Sequence, residues 1–278
     1  MSFYKSGFLS DEADFVAQNR ADFRPYFEIA FQLNDQAHEI QHRIEVFRGD
    51  IKMLVVQCLY LRALCSFAAS IRLMELGLCI DAGNTLRNLM ETTIYLKKCV
   101  ADPEWIVKYI KADLRHKATL ISIVLEEKEM SEHHAEAREF RKKLLNEIEA
   151  EIIPKLNLAD VAKSKDVGDK KMYDLFFRKL SNNNSHTSSA SLAPFLKVDD
   201  DQDLEFIIYD NQAKDIPDLM IPGCWSLLEC TESIIKFFKI EANLSDELEK
   251  RAVALLFPQA ARNSAPFIPS EGSEATVQ

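Results

Sequence analysis

Apolar residues along this chain recur mostly at three- and four-residue spacing, the period of amphipathic helices. One stretch departs from that by being apolar nearly all the way round: IKMLVVQCLYLRALCSFAASIRLMEL, starting at Ile51. After Gly77 a second segment, AGNTLRNLMETTIYLKKCV, runs from Ala82 to Val100. A helix without a polar face needs neighbours on every side, so the pair spanning Asp50 to Asp102 is predicted to be the centre of the core. Gly77 suits the left-handed residue after a helix, and Asp81 suits the N-cap of the next.

The flanking segments read outward from this pair. Residues 1–20 form an N-terminal arm with a helix after Ser10, where Asp11 and Glu12 supply an acidic first turn. Pro25 opens a long helix to about Phe47, striped by Leu33, Ala37, Ile40, Ile44 and Phe47. Pro103 begins another at Trp105, carried to about Met130 by Ile106, Tyr109, Ile110, Leu114, Ala118, Ile121 and Leu125. Residues 126–153 are charge-dense with a narrow apolar edge (Phe140, Leu144, Leu145), which predicts a projecting, mostly solvated helical segment.

Lys170 to Leu180 is a further helix, with Tyr173, Phe176, Phe177 and Leu180 inward and Asp174 paired with Arg178 outside. It is expected to stop in the polar loop 181–189. Residues 195–209 hold a hairpin candidate around Asp199 to Asp203. Pro217 and Pro222 are expected to bracket a loop before a final long helix from Gly223 to Phe238. A short helix at Leu244–Leu256 follows, then a tail of disordered composition from Asn263. The expected fold is therefore all-α: one domain over 1–262, a bundle of roughly seven to nine helices with at most one small β-hairpin, and a disordered tail over 263–278.

Composition narrows the function classes. Seven Gly and nine Pro are too few for a many-turned all-β chain. A net charge of −10 repels polyanions on average, so extended nucleic-acid binding requires a local basic patch. The six cysteines (58, 65, 79, 99, 224 and 230) form no Cys-x-x-Cys and are expected as buried thiols of a reducing, cytoplasmic protein. No apolar run of signal-peptide length opens the chain. A membrane span over Met53 to Ile71 would place Arg62 at mid-bilayer, costing about 2.5–3.5 kcal/mol. A buried helix is expected instead, with no membrane partner.

His38-Glu39-Ile40-Gln41-His42 matches the zinc-protease pattern His-Glu-x-x-His. The apolar stripe through Ala37, Ile40 and Ile44 turns both histidines toward solvent, and no third ligand follows, so neither a metal nor any other cofactor is expected. Two other features hold more chemistry. Arg87 and Glu91, four residues apart beside an apolar face, form either an intrahelical ion pair or a guanidinium fork for a phosphate or carboxylate, with Glu91 steadying it. His186, in its polar loop, is either a capping residue or an acid–base group near neutrality.

Around these residues the chain resembles bacterial helical proteins catalogued as domain of unknown function 5677. The resemblance rests on Gly77-Leu78, Asp81-Ala82 and Leu86-Arg87-Asn88-Leu89-Met90-Glu91, then Phe177 to Leu180-Ser181 and His186-Thr187. It is more loosely similar to the HEPN superfamily, helical bundles that often cleave RNA without metal through Arg-x(4–6)-His. Here Arg178 stands seven intervening residues before His186, and the residue at the six-residue spacing is Lys179. The HEPN resemblance implies an RNA- or nucleotide-acting module in bacterial defence or stress, using His186 with Arg87 or Arg178 and Glu91. The alternative is a non-catalytic interaction or scaffold module, partnered by a second copy of itself or by an operon-encoded protein.

Overall fold

The structure, a computed structural model, describes residues 13–45, 47, 49–126, 134–151, 156–185, 189–198, 204–207, 212–242, 250–252 and 254–255. Helix α1 (Ala13–Asp22) docks through Asn19, whose side-chain amide donates to the Glu75 carbonyl at 2.8 Å, and through Arg20, which pairs with the buried Glu75 carboxylate. In α2 (Arg24–His42) Pro25 occupies the first turn, where its missing N–H forfeits no helical bond. Leu33, Ala37 and Ile40 are buried as their spacing predicts. The helix stops at His42, however, so Phe47 leaves the stripe and is 68% exposed.

Helix α3 (Ile51–Glu75) starts where the Asp50 carboxylate accepts from the amides of Lys52 and Met53, both at 3.0 Å. It ends in a Schellman turn: Gly77 at φ 72° donates to the Met74 carbonyl, and Leu78 donates to that of Leu73. Helix α4 (Cys79–Ala101) then begins three residues earlier than Asp81 as N-cap would set it. One of its free amides is satisfied from far along the chain, by the buried Gln212 side chain, which accepts from Ile80 N at 3.3 Å. Asp81 serves instead as an acidic residue in the first turn.

Helix α5 (Trp105–Glu126) is stacked onto α4 by the ring series Tyr95, Trp105 and Tyr109. Its partner α6 (His134–Glu151) shares with it a small separate cluster, Ala118 and Leu144 with Leu114, Ile121 and Leu145. After α7 (Leu158–Lys163) comes α8, a helical run over 170–185 in which α-helical turns alternate with π-helical turns at Tyr173–Phe177 and Ser181–Ser185. The expected stop at Ser181 is therefore overrun by one wide turn. Short α9 (Ser189–Leu192) leads to β1 (Leu196–Val198) and β2 (Leu204–Ile207), antiparallel with Leu196 opposite Ile207, the one small hairpin anticipated.

Helix α10 (Ile216–Phe238) contains both prolines that were expected to bracket a loop. Pro217 lies in its first turn. Pro222 forfeits the bond to the Asp218 carbonyl, yet the helix continues through it. The short helix expected at Leu244–Leu256 lies largely outside the described residues, and the tail from Asn263 lies wholly outside them. Among the described residues, eight longer helices and one strand pair fit the all-α expectation.

The core is built on α3 and α4 side by side, with α10 packed on both and α2 against α3 and α10. Tyr60 ties three of these helices: its hydroxyl donates to the Ala37 carbonyl at 2.9 Å and lies 3.1 Å from Thr231 Oγ1. The expectation that α3 is enclosed all round fails. Val56, Tyr60, Ala63, Phe67, Ile71 and Met74 are buried, but Ile51, Leu54 and Leu61 are open to solvent together with the Cys58 and Cys65 thiols. Helices α1, α2, α4 and α10 pack on α3, and among the described residues one side of it stays bare. Thus two of the six cysteines are not buried. For the other four, burial pushes the thiol up to about 12, leaving it protonated and unreactive at neutral pH. By length and composition alone α3 could cross a membrane, but its covered face is packed on other helices.

Candidate functional site

Helix α8 lies antiparallel along the N-terminal half of α4, and three contacts fix it there. At the first, Asn184 donates to the Ile80 carbonyl at 3.1 Å, directly over Gly83. A Cβ at Gly83 would collide with the Asn184 side-chain amide, so the close approach depends on glycine. Beside it, Ser185 donates to Asn84 Oδ1 at 2.8 Å. One helical turn further along α4, the Arg87 guanidinium lies over the Phe177 ring, 4.8 Å from its centroid.

Arg87 and Glu91 meet as their spacing predicts, but loosely, at 3.7 Å, with side chains 27% and 36% exposed. The Arg87 Nε–H is buried without a hydrogen-bond partner among the described residues, an uncommon state for a charged donor. Phe177 in turn stacks on Tyr173 at 5.1 Å. The π-helical turn 173–177 places this aromatic pair; a wide turn shifts the helix phase by one residue, a local irregularity frequent at functional sites.

The other sequence candidates fall elsewhere. Arg178 points outward, 69% exposed and 3.8 Å from Asp174, away from Arg87. His38, Glu39 and His42 are exposed on α2. No cluster of three metal-ligating side chains occurs among the described residues. His186 lies outside the described residues; Ser185, its predecessor in the chain, is the residue bonded to Asn84. Asn84, Phe177, Asn184 and Ser185 were not legible as site residues. The one hint was the density of amide and hydroxyl side chains over 181–185.

A cavity of about 430 Å³ opens on the other flank of α8, between it, the start of α4 and the start of α10. Its floor is apolar (Ile80, Leu180, Leu219), and Lys179, Lys214 and Asp215 stand on its rim. Burial pushes the Asp215 carboxyl above the usual range, and Asp218 adds to that while Lys214 opposes it.

Substituting Gly83→Ala separates local packing from helix stability. Alanine improves helix propensity by about 1 kcal/mol, while the displaced Asn184 amide loses a hydrogen bond worth about as much. The expected result is a melting temperature within a few degrees of wild type, with the Asn184 side-chain amide signals moved in an NMR spectrum.

Comparison with known proteins adds one finding. A family model described as "Family of unknown function (DUF5677)" matches residues 53–203, more than half of the chain and the whole of the α4–α8 junction. No curated protein and no solved structure matches.

Proposed function

The chain belongs to the DUF5677 family, and from that premise we infer that its function is carried by the α4–α8 junction as a HEPN-like site acting on an RNA phosphodiester or a nucleotide. The observation that carries the reading is Arg87: a guanidinium seated on Phe177, only loosely held by Glu91, with a buried Nε–H that has no partner among the described residues. A phosphate oxygen satisfies such a donor and the charge together. Lys170, Lys171, Arg178 and Lys179 are exposed on α8 and add positive charge to this helix in an otherwise acidic protein, although Arg178 pairs with Asp174 and Lys179 with Asp218.

In this reading Arg87 stabilises charge developing on the phosphate, Glu91 steadies the guanidinium, and His186, next in sequence after Ser185, takes the proton from an attacking ribose 2′-hydroxyl. The products are a 2′,3′-cyclic phosphate and a 5′-hydroxyl, whose proton comes from solvent. A bacterial defence or stress response is the proposed setting, in the cytoplasm.

The test is RNA cleavage by the purified full chain in EDTA. Wild type is expected to cleave. His186→Ala is expected to abolish cleavage, and Arg87→Met to slow it by about 10²–10³-fold, with melting temperatures little changed. Absence of both cleavage and RNA binding in wild type overturns the reading. The net charge of −10 favours the alternative, a non-catalytic interaction module in which Arg87 only stitches α4 to α8.

A further inference from the structure

The bare side of α3 is patterned rather than merely apolar. Seven of the helix's nine exposed positions, Ile51, Leu54, Cys58, Leu61, Cys65, Ala68 and Arg72, are spaced three, four, three, four, three and four residues apart, and the other two, Arg62 and Ala69, flank that line on one side. This is the a/d rhythm of a coiled coil, sustained along about 32 Å of helix, on a face that is open over most of its length and borders α2 only at Ala68 and Arg72. Its three large residues are 50%, 46% and 42% exposed. We propose that this face is the seam of a two-fold symmetric, antiparallel dimer, formed by α3 of a second copy of this chain.

The residues themselves select that occupant and that direction. In an antiparallel pair, a positions meet d positions, and one register places Ile51 opposite Ala68 of the second copy, Leu54 opposite Cys65, and Cys58 opposite Leu61. Every bulky side chain then faces a small one, the interlocking that a closely packed seam requires. Each contact occurs twice by symmetry, as in any isologous interface. Charge points the same way. A parallel, in-register pair would set Arg72 against its own copy at the seam. The antiparallel register separates the two Arg72 residues, each already paired with its own Glu75 at 2.8 Å, and brings each toward the exposed Phe47 and Asp50 of the other copy, a ring face and a carboxylate. Arg62, flanking the seam, is likewise carried away from its own copy and toward Val55.

The experiment uses the full chain. Sedimentation equilibrium is expected to show a concentration-dependent dimer, and Leu61→Glu, which buries a carboxylate at the seam twice, to weaken it by roughly a hundredfold or more without lowering the melting temperature of the monomer. Direction is read by cross-linking Leu54→Cys in a Cys58→Ser background with a short bis-maleimide. Peptides containing positions 54 and 65 are expected to join; within one chain these positions lie about 16 Å apart along the helix, beyond the reagent's span. A monomer at all concentrations overturns the proposal, whether or not that monomer partitions onto phospholipid vesicles. Cross-links joining 54 to 54 and 65 to 65 overturn the antiparallel arrangement.

Discussion

Replacing Lys97 with methionine is expected to destabilise the protein by about 3 kcal/mol, at the lower end for breaking a buried ion pair. The Lys97 ammonium joins Asp169, just before α8, at 2.5 Å and Glu229 of α10 at 2.6 Å, with all three side chains mostly buried. Burial opposes the charge on Lys97, but the bonds to Asp169 and Glu229 outweigh it and hold its pKa above the ordinary value of 10.5. Its stabilisation is thus fully present below pH 10.5 and is lost as the pH rises through the higher folded value. In Lys97→Met the Asp169 carboxyl, which burial already holds above its ordinary value of 3.8, loses the cation that opposes that shift and rises further. The deficit relative to wild type is then complete above that raised value and shrinks as the pH falls through it. Thermal unfolding at neutral pH should show a drop of roughly 6–12 °C. A deficit independent of pH between 4 and 7 would mean that the network contributes by packing and not by charge.

Leu86→Ala is expected to cost about 2–5 kcal/mol, because Leu86 is fully buried where α10 crosses α4. The crossing is close enough that a Cβ at Gly223 would lie 2.9 Å from Leu86 Cδ2. Gly223→Ala alone therefore overpacks the contact, by about 1–3 kcal/mol before the gain in helix propensity. Combining the two substitutions should be less damaging than their sum, since the new methyl group occupies part of the volume the leucine vacates. Denaturant unfolding of the four proteins measures that coupling. Strict additivity would place the two residues out of contact.

What could be read from the sequence was whatever depends on near neighbours. Gly77 announced its own left-handed turn, the stripe of α2 gave its buried face, and the Arg87–Glu91 spacing gave their pairing. Long-range partners stayed hidden. The cap of α4 comes from Gln212, so Asp81 looked like the cap without being it. Pro222 looks like a break, but the packing of the buried face of α10 on α3 and α4 carries the helix through it. The Phe177 ring beneath Arg87 is supplied by a helix ninety residues later, through wide turns that no propensity signals. The uniform apolarity of α3 was misread for a similar reason: composition reports how oily a helix is, not how many helices surround it.

Gln212 holds the α3–α4 turn twice, donating its backbone N–H to the Gly77 carbonyl at 3.1 Å and accepting from Ile80 N with its side chain. The entry to α10 and the tightest bend of the central hairpin are thereby latched together. Neither can fray alone, so local opening of one must release amide protons in the other, and exchange with deuterium at Ile80 and Gln212 should proceed as a single event.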